Sequence, residues 1–200
     1  MKGTGAVIYQ CCDWLMRLAV LNILWLTFSM AGLLVFGVFP ASAAASALLK
    51  EWVAGERPAS FSYFRRIYRQ SFFSSNTVFT GGSLVFILLG LNLYTSLQFQ
   101  GILFYLFVSG TIFLMSGLFL LLMLTLLPLG SGEKTMPSLR RAFHLLMCYP
   151  GRLVSLSAGI VLLLVCIRYV PGILPFYSVN LILFLVVALF TNQLRLDAVS

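Results

Sequence analysis

Charged residues fall in clusters along this chain, and the stretches between them are long and apolar. No Asp, Glu, Lys or Arg occurs between Arg17 and Lys50, between Arg69 and Glu133, between Arg152 and Arg168, or between Arg168 and Arg195. A membrane-crossing helix needs about 20 mostly apolar residues, and one charge at its centre costs roughly 2.5–3.5 kcal/mol. The gaps therefore read as spans. Leu18–Phe39 supplies the first. The gap after Arg69 holds two, Asn76–Leu97 and Ile102–Leu129, joined by a turn at Tyr94–Gly101, where Thr95, Ser96, Gln98 and Gln100 interrupt the apolar run. Pro128 and Gly130 stop the second of these. The tail predicts two more, Arg152–Val170 and Phe176–Leu194, with Pro171, Gly172 and Pro175 marking the turn between them.

Pro40 interrupts the first gap, and the small-residue run Ala41-Ser42-Ala43-Ala44-Ala45-Ser46-Ala47 follows. With Leu48, Leu49 and Trp52 it predicts a short return helix, buried because small side chains let helix backbones approach closely. The expected fold is all-α: a polytopic transmembrane bundle forming a single domain over residues 1–200, with five long spans, one short helix and short amphipathic cytoplasmic segments. Ala41-Ser42-Ala43 also resembles a signal-peptide cleavage site. The apolar stretch before it exceeds the about 7–15 residues of a signal core, which favours a retained helix.

Composition agrees with the pattern. The chain is 60% hydrophobic and 9% charged, with a mean hydropathy of +1.02. A soluble domain carries about 25% charged residues. The formal net charge is +8. Most of the surplus sits in two segments, Lys50–Arg69 and Glu133–Arg152. Lys and Arg in short loops mark the cytoplasmic side. Both segments are expected there, as is the C-terminus with Arg195, while the uncharged turn at Tyr94–Gly101 faces out. Lys2 and Arg17 favour an internal N-terminus if the short helix returns to the same side. A helix merely lying at the interface would put the N-terminus outside. With its charge confined to loops beside the membrane, the chain is expected to meet anionic lipid and no nucleic acid.

The two basic segments look alike. In the first, Phe61, Phe64, Tyr68 and Phe72 recur at helical spacing opposite Arg65, Arg66 and Arg69. In the second, Leu139, Phe143 and Leu146 recur opposite Arg140, Arg141 and His144. These arginines are the expected lipid- or partner-facing groups. Each segment reads either as a helix lying in the headgroup layer or as the start of the next span, with Arg reaching to phosphate. The double-Arg pairs stand 75 positions apart, which suggests a parallel repeat relating residues 18–97 and 102–194.

Catalytic and metal-binding patterns are weak. The four cysteines, Cys11, Cys12, Cys148 and Cys166, show no C-x-x-C spacing, and His144 is the sole histidine. A structural zinc site takes about four closely spaced Cys or His ligands. The sequence lacks phosphate-loop, zincin and nucleophile-elbow motifs. All five acids lie outside the central spans, so neither paired-carboxylate catalysis nor ion coupling is expected. Asp13 and Arg17 stand at i,i+4 and predict a local ion pair. Asn22, Ser29, Asn92, Thr111, Ser116, Thr125, Asn180 and Asn192 are read as interhelical hydrogen-bonding groups. Gly151, Ser155 and Gly159 form a small-residue stripe expected to pack closely against a helix of the fold or of another subunit.

Several of these stretches have a familiar ring together: Leu21-Asn22-Ile23-Leu24-Trp25-Leu26, Pro40-Ala41 and the small run, Lys50-Glu51-Trp52-Val53-Ala54-Gly55-Glu56, Phe61 with Phe64-Arg65, and Tyr149-Pro150 before a span. They resemble the YesL-type family of bacterial membrane proteins, defined by a domain of unknown function. The glycine expected just before Pro40 is Phe39 here. The resemblance implies a non-enzymatic accessory or regulatory role at the cell membrane, beside a carbohydrate transporter or sensor. It implies no cofactor and no catalytic residues. The alternative is a small permease or channel for a neutral solute, lined by the Asn, Ser and Thr residues.

Overall fold

The computed structural model describes residues 4–169 and 180–190, all in helices or short turns. Helix α1 covers Thr4–Ala31, α2 Val38–Val53, α3 Ser60–Ser96 and α4 Ile102–Gly130. They are followed by α5 at Thr135–Cys148, α6 at Pro150–Tyr169 and α7 at Asn180–Phe190.

Helix α2 is the centre of the molecule. Twelve of its 16 residues are buried, from Phe39 to Trp52, and it packs against α1, α3 and α4. Pro40 lies in its first turn, where backbone N–H groups lack intrahelical partners and a proline removes nothing. The small residues allow the close approach, and two serines tie the helix in place. Ser42 Oγ accepts from Trp25 Nε1 at 3.0 Å, and Ser46 Oγ donates to the Leu126 carbonyl of α4 at 3.0 Å.

The pairings along α1 and α2 fix their direction. Gly37 lies against Ser29, Ser42 against Trp25, the Trp52 ring near the Arg17 guanidinium, and Arg57 3.9 Å from Asp13. Helix α2 therefore runs back along α1, as expected of a return helix, and the Lys50–Arg69 segment lies at the end of the bundle where α1 begins. The reversal is tight. Leu33 and Leu34 both take positive φ, at 58° and 61°. This is an uncommon conformation for a branched side chain. The close approach falls on Gly32 and Gly37, where an added Cβ would overlap neighbouring backbone. With Gly37 in that role, Phe39 is free to pack its ring on Phe79.

Helices α3 and α4 form an antiparallel hairpin. Gly132 meets Gln70, Leu122 meets Gly82, and Thr111 donates to Asn92 Oδ1 at 2.7 Å. The turn between them falls at residues 97–101, as the polar interruption predicts. The hairpin end away from the basic segments projects apolar side chains outwards, including Leu88, Leu91, Leu106 and Phe113.

The amphipathic segments resolve differently. The first is the opening part of α3, continuous with the span, in a 37-residue helix about 55 Å long. That exceeds the about 30 Å hydrocarbon thickness, so residues 60–75 extend beyond the span. The second is a separate helix, α5, bent by 95° from α6. Pro150 causes the bend, because its ring disfavours helical geometry at Tyr149, which takes φ −124° and ψ 57°.

The all-helical fold is as expected, and the described residues hold three to four candidate spans. Among the described residues, three helices are individually long and apolar enough to cross, within Ile8–Ala31, Ser60–Ser96 and Ile102–Gly130, and α5 with α6 makes a fourth as a bent pair. Helix α7 is described over Asn180–Phe190, part of the predicted last span Phe176–Leu194. It buries Asn180, Leu183, Val186, Val187 and Phe190, and it sets Phe184 against Trp14 of α1. The predicted turn at Pro171–Pro175, the far end of the last span, Asn192 and Arg195 lie outside the described residues.

Candidate functional site: a polar pocket at the basic end

The ends of α2 and α4 and the beginning of α3 converge at the basic end of the bundle. Between them lies a cavity of about 410 Å³, lined by Lys50, Glu51, Tyr63, Arg66, Gln70 and Ser131, with Ala47, Ile67 and Gly130 at its floor. Lys50 is carried there by the last turn of α2 and donates to Ser131 Oγ at 3.0 Å. Tyr63 donates to Glu51 Oε1 at 3.1 Å. Burial, then the neighbouring Glu51 carboxylate, pushes the Tyr63 phenol up to about 12. Arg66 holds its guanidinium over the Tyr63 ring, 5.1 Å from the centroid. Gly132, at φ 82°, lets the chain turn away beneath the Gln70 amide.

Several other polar groups have structural partners, whereas Ser29 Oγ is buried with none among the described residues. Asp13 and Arg17 form the expected i,i+4 pair at 2.8 Å, with Arg17 also against the Trp14 and Trp52 rings. Asn180 Nδ2 donates to Asn22 Oδ1 at 3.1 Å, tying α7 to α1. Thr125 and Ser116 donate to carbonyls of their own helix. His144 Nε2 lies 3.3 Å from Cys148 Sγ on the exposed side of α5. All four cysteines are exposed and unbridged, and no group of three potential metal ligands occurs among the described residues.

Of the predicted surface arginines, Arg65, Arg66 and Arg69 are exposed along the start of α3, and Arg140 and Arg141 along α5. Arg141 is ion-paired to Glu133. Arg66 also belongs to the pocket, a role not visible in its spacing. In the small-residue stripe, Gly159 packs on Leu185 of α7, whereas Gly151 and Ser155 face outwards. The sequence reading did not single out Lys50, Glu51, Tyr63, Gln70 and Ser131 as a group. The signal was present: a Lys-Glu pair closes an otherwise uncharged helix, and Gly130-Ser131-Gly132 ends the next but one.

Two other pockets are apolar. One lies between α1, α2, α4 and α7, lined by Trp25, Phe39, Ser42, Phe119, Met123 and Leu183 among others. Another runs between α4, α5 and α6 past Leu121, Phe143 and Leu153.

A chain whose described residues are helical, with several helices apolar enough to cross a bilayer, is a protein of the membrane-inserting class. Residues 18–93 match the family described as "Protein of unknown function, DUF624". Three relatives come from Bacillus subtilis (strain 168), each described as an uncharacterized protein. YteU is 32% identical over 185 residues, 90% of this chain and 82% of the relative. YesL is 31% identical over 179 residues, covering 86% and 81%, and YesV is 27% identical over 186 residues, covering 89% and 87%. The chain belongs to this YesL-type family. No solved structure matches it.

Proposed function

We propose that this protein is a non-enzymatic accessory or regulatory component of the cell membrane, acting on a partner membrane protein such as a carbohydrate transporter or sensor. The observation that carries the reading is the packing of α2. The centre of the bundle is filled by a helix with 12 of 16 residues buried. Asn22 and Asn180 hold α1 to α7, and Asn92 and Thr111 hold α3 to α4. A permease for a neutral solute would instead need a polar path through that region, where the pocket beside Trp25 and Phe39 is apolar. The surfaces available to a partner are the exposed apolar flanks of the α3–α4 hairpin and the basic faces of α3 and α5.

In this reading the basic end lies in the cytoplasm with the start of α1, and the turn at residues 97–101 faces out. In a protein with Cys11, Cys12, Cys148 and Cys166 replaced by serine, a cysteine placed at Gln98 should react with an impermeant thiol reagent in intact cells, and one at Glu56 only after permeabilisation. The opposite pattern refutes the orientation. The partner reading is tested by cross-linking in cells and purification in mild detergent. Recovery of a defined membrane partner in stoichiometric amount supports it. A solitary monomer after cross-linking, together with solute flux in proteoliposomes, would favour the permease.

A further inference from the structure

We propose that the pocket between α2, α3 and the end of α4 binds an anionic phosphate group, drawn either from a lipid headgroup or from a soluble phosphate. The inference is independent of which partner the protein serves. Three donors from two helices line one cavity, the Lys50 ammonium of α2 and the Arg66 guanidinium and Gln70 amide of α3, while Ser131 Oγ accepts from Lys50 and donates to the Leu127 carbonyl. Glu51, the carboxylate in the lining, already accepts the Tyr63 hydroxyl at 3.1 Å. With Lys50 and Arg66 against Glu51 the lining carries one net positive charge. That balance fits a monoanion and works against a bare cation, for which a single engaged carboxylate is a poor site.

The surrounding backbone does not oppose an anion. The last carbonyls of a helix would repel one, but at the end of α4 the Pro128 carbonyl accepts from Ser131 and Glu133, and that of Leu129 from Gly132. Arg66 has the planar fork that grips phosphate oxygens in pairs, and the Tyr63 ring beneath it limits the positions it can take. The cavity, at about 410 Å³, lies in the range of about 300–1,000 Å³ usual for small-ligand sites. It also sits among the clustered charges of Asp13, Arg17 and Arg57, the end of the bundle where headgroups are met.

The test uses the full-length protein in mild detergent. Native mass spectrometry measures retention of phosphatidylglycerol against phosphatidylcholine of the same chains, and inorganic phosphate is added as competitor and as stabiliser in thermal unfolding. The wild type should retain phosphatidylglycerol preferentially, or be stabilised by inorganic phosphate. Lys50→Gln and Arg66→Gln should each weaken that binding about tenfold, as loss of one charge-assisted hydrogen bond implies. Arg140→Gln, on exposed α5, should leave it unchanged. Lipid retention that phosphate does not displace identifies a headgroup site. Stabilisation by phosphate with displacement of the lipid identifies a soluble anion. Equal retention of the two lipids with no phosphate effect overturns the proposal. So does a loss in Arg140→Gln as large as in Arg66→Gln, which would reveal diffuse surface charge. Arg66 is exposed and its substitution is not expected to disturb folding, so the Arg66→Gln result stands even if Lys50→Gln fails to fold.

Discussion

Replacing Gly130 by alanine tests whether α2 is held by close contact of backbones. Gly130 is in the last turn of α4, facing α2. A Cβ there would stand 2.5 Å from the Ala43 carbonyl oxygen, 3.0 Å from Ser46 Oγ and 3.1 Å from Ala47 Cβ. The nearest of these atoms is backbone and cannot rotate away, so the two helices must separate. Separation also stretches the 3.0 Å bond from Ser46 to the Leu126 carbonyl. Overpacking by a methyl costs about 1–3 kcal/mol, and an interhelical hydrogen bond in a membrane contributes about 0.6 kcal/mol. Alanine recovers at most about 1 kcal/mol of helix propensity. A net loss of about 2 kcal/mol lowers the midpoint of a chain this size by about 4–8 °C. Thermal unfolding in mild detergent, followed by ellipticity and by recovery of monodisperse protein, reads the change. Gly117→Ala is the control, since a Cβ there meets nothing within 4 Å. If Gly130→Ala unfolds at the same temperature as Gly117→Ala, the contact between α2 and α4 does not hold the fold and the reasoning fails.

Three further outcomes are expected. Asn180→Leu removes the bond to Asn22 and should cost about 1 kcal/mol; the Asn22→Leu and Asn180→Leu pair should cost less than the two single changes added, and strict additivity in that cycle would show the two amides are uncoupled. Pro150→Ala should let α5 continue into α6. Spin labels at Met136 and Leu162 would then move from about 26 Å apart, across the 95° bend, towards the about 39 Å of an unbroken helix. An unchanged distance would mean that packing of Ser138, Ala142 and Leu145, not the proline, sets the bend. Tyr63 titrates at about 12 against its ordinary 10.0. A raised phenol contributes stability that is complete below about pH 10 and is lost as the pH climbs towards about 12. Unfolding scans across that window should show Tyr63→Phe less sensitive to alkali than the wild type, and equal sensitivity would remove Tyr63 as the cause.

Much of the architecture was legible because charge is costly in a bilayer. The charge-free gap after Arg69 gave the α3–α4 hairpin and its turn within a few residues, and the small-residue run gave a short buried helix. The pocket was not legible, because its lining comes from residues 47–51, 63–70 and 130–131, brought together only when α2, after reversing on α1, packs against α3 and α4. That reversal rests on Gly32 and Gly37 and on two leucines at positive φ, none of which the hydrophobic pattern marks. Arg66 shows the same limit. Its neighbours place it on the polar side of an amphipathic helix, and only the packed structure shows Tyr63 beneath it.

The two double-arginine segments show how one residue redirects a common pattern. Each carries its pair on the exposed side of a helix and buries the opposite side, Phe64, Ile67 and Tyr68 in one, Ser138, Ala142 and Leu145 in the other. Ten positions after the first arginine of each pair stand Ser75 and Pro150. Serine keeps its N–H and α3 runs on into the span. Proline has none and crowds the residue before it, so α5 ends at Cys148 and α6 leaves at 95°. The consequence reaches the far side of the molecule. Because α6 starts afresh, Arg152 lies in its first turn, where its guanidinium reaches the Leu189 carbonyl of α7. A straight continuation of α5 would carry Arg152 away from it. The bend therefore ties α7 to the bundle at the basic end, as Asn22 and Asn180 tie it at the other.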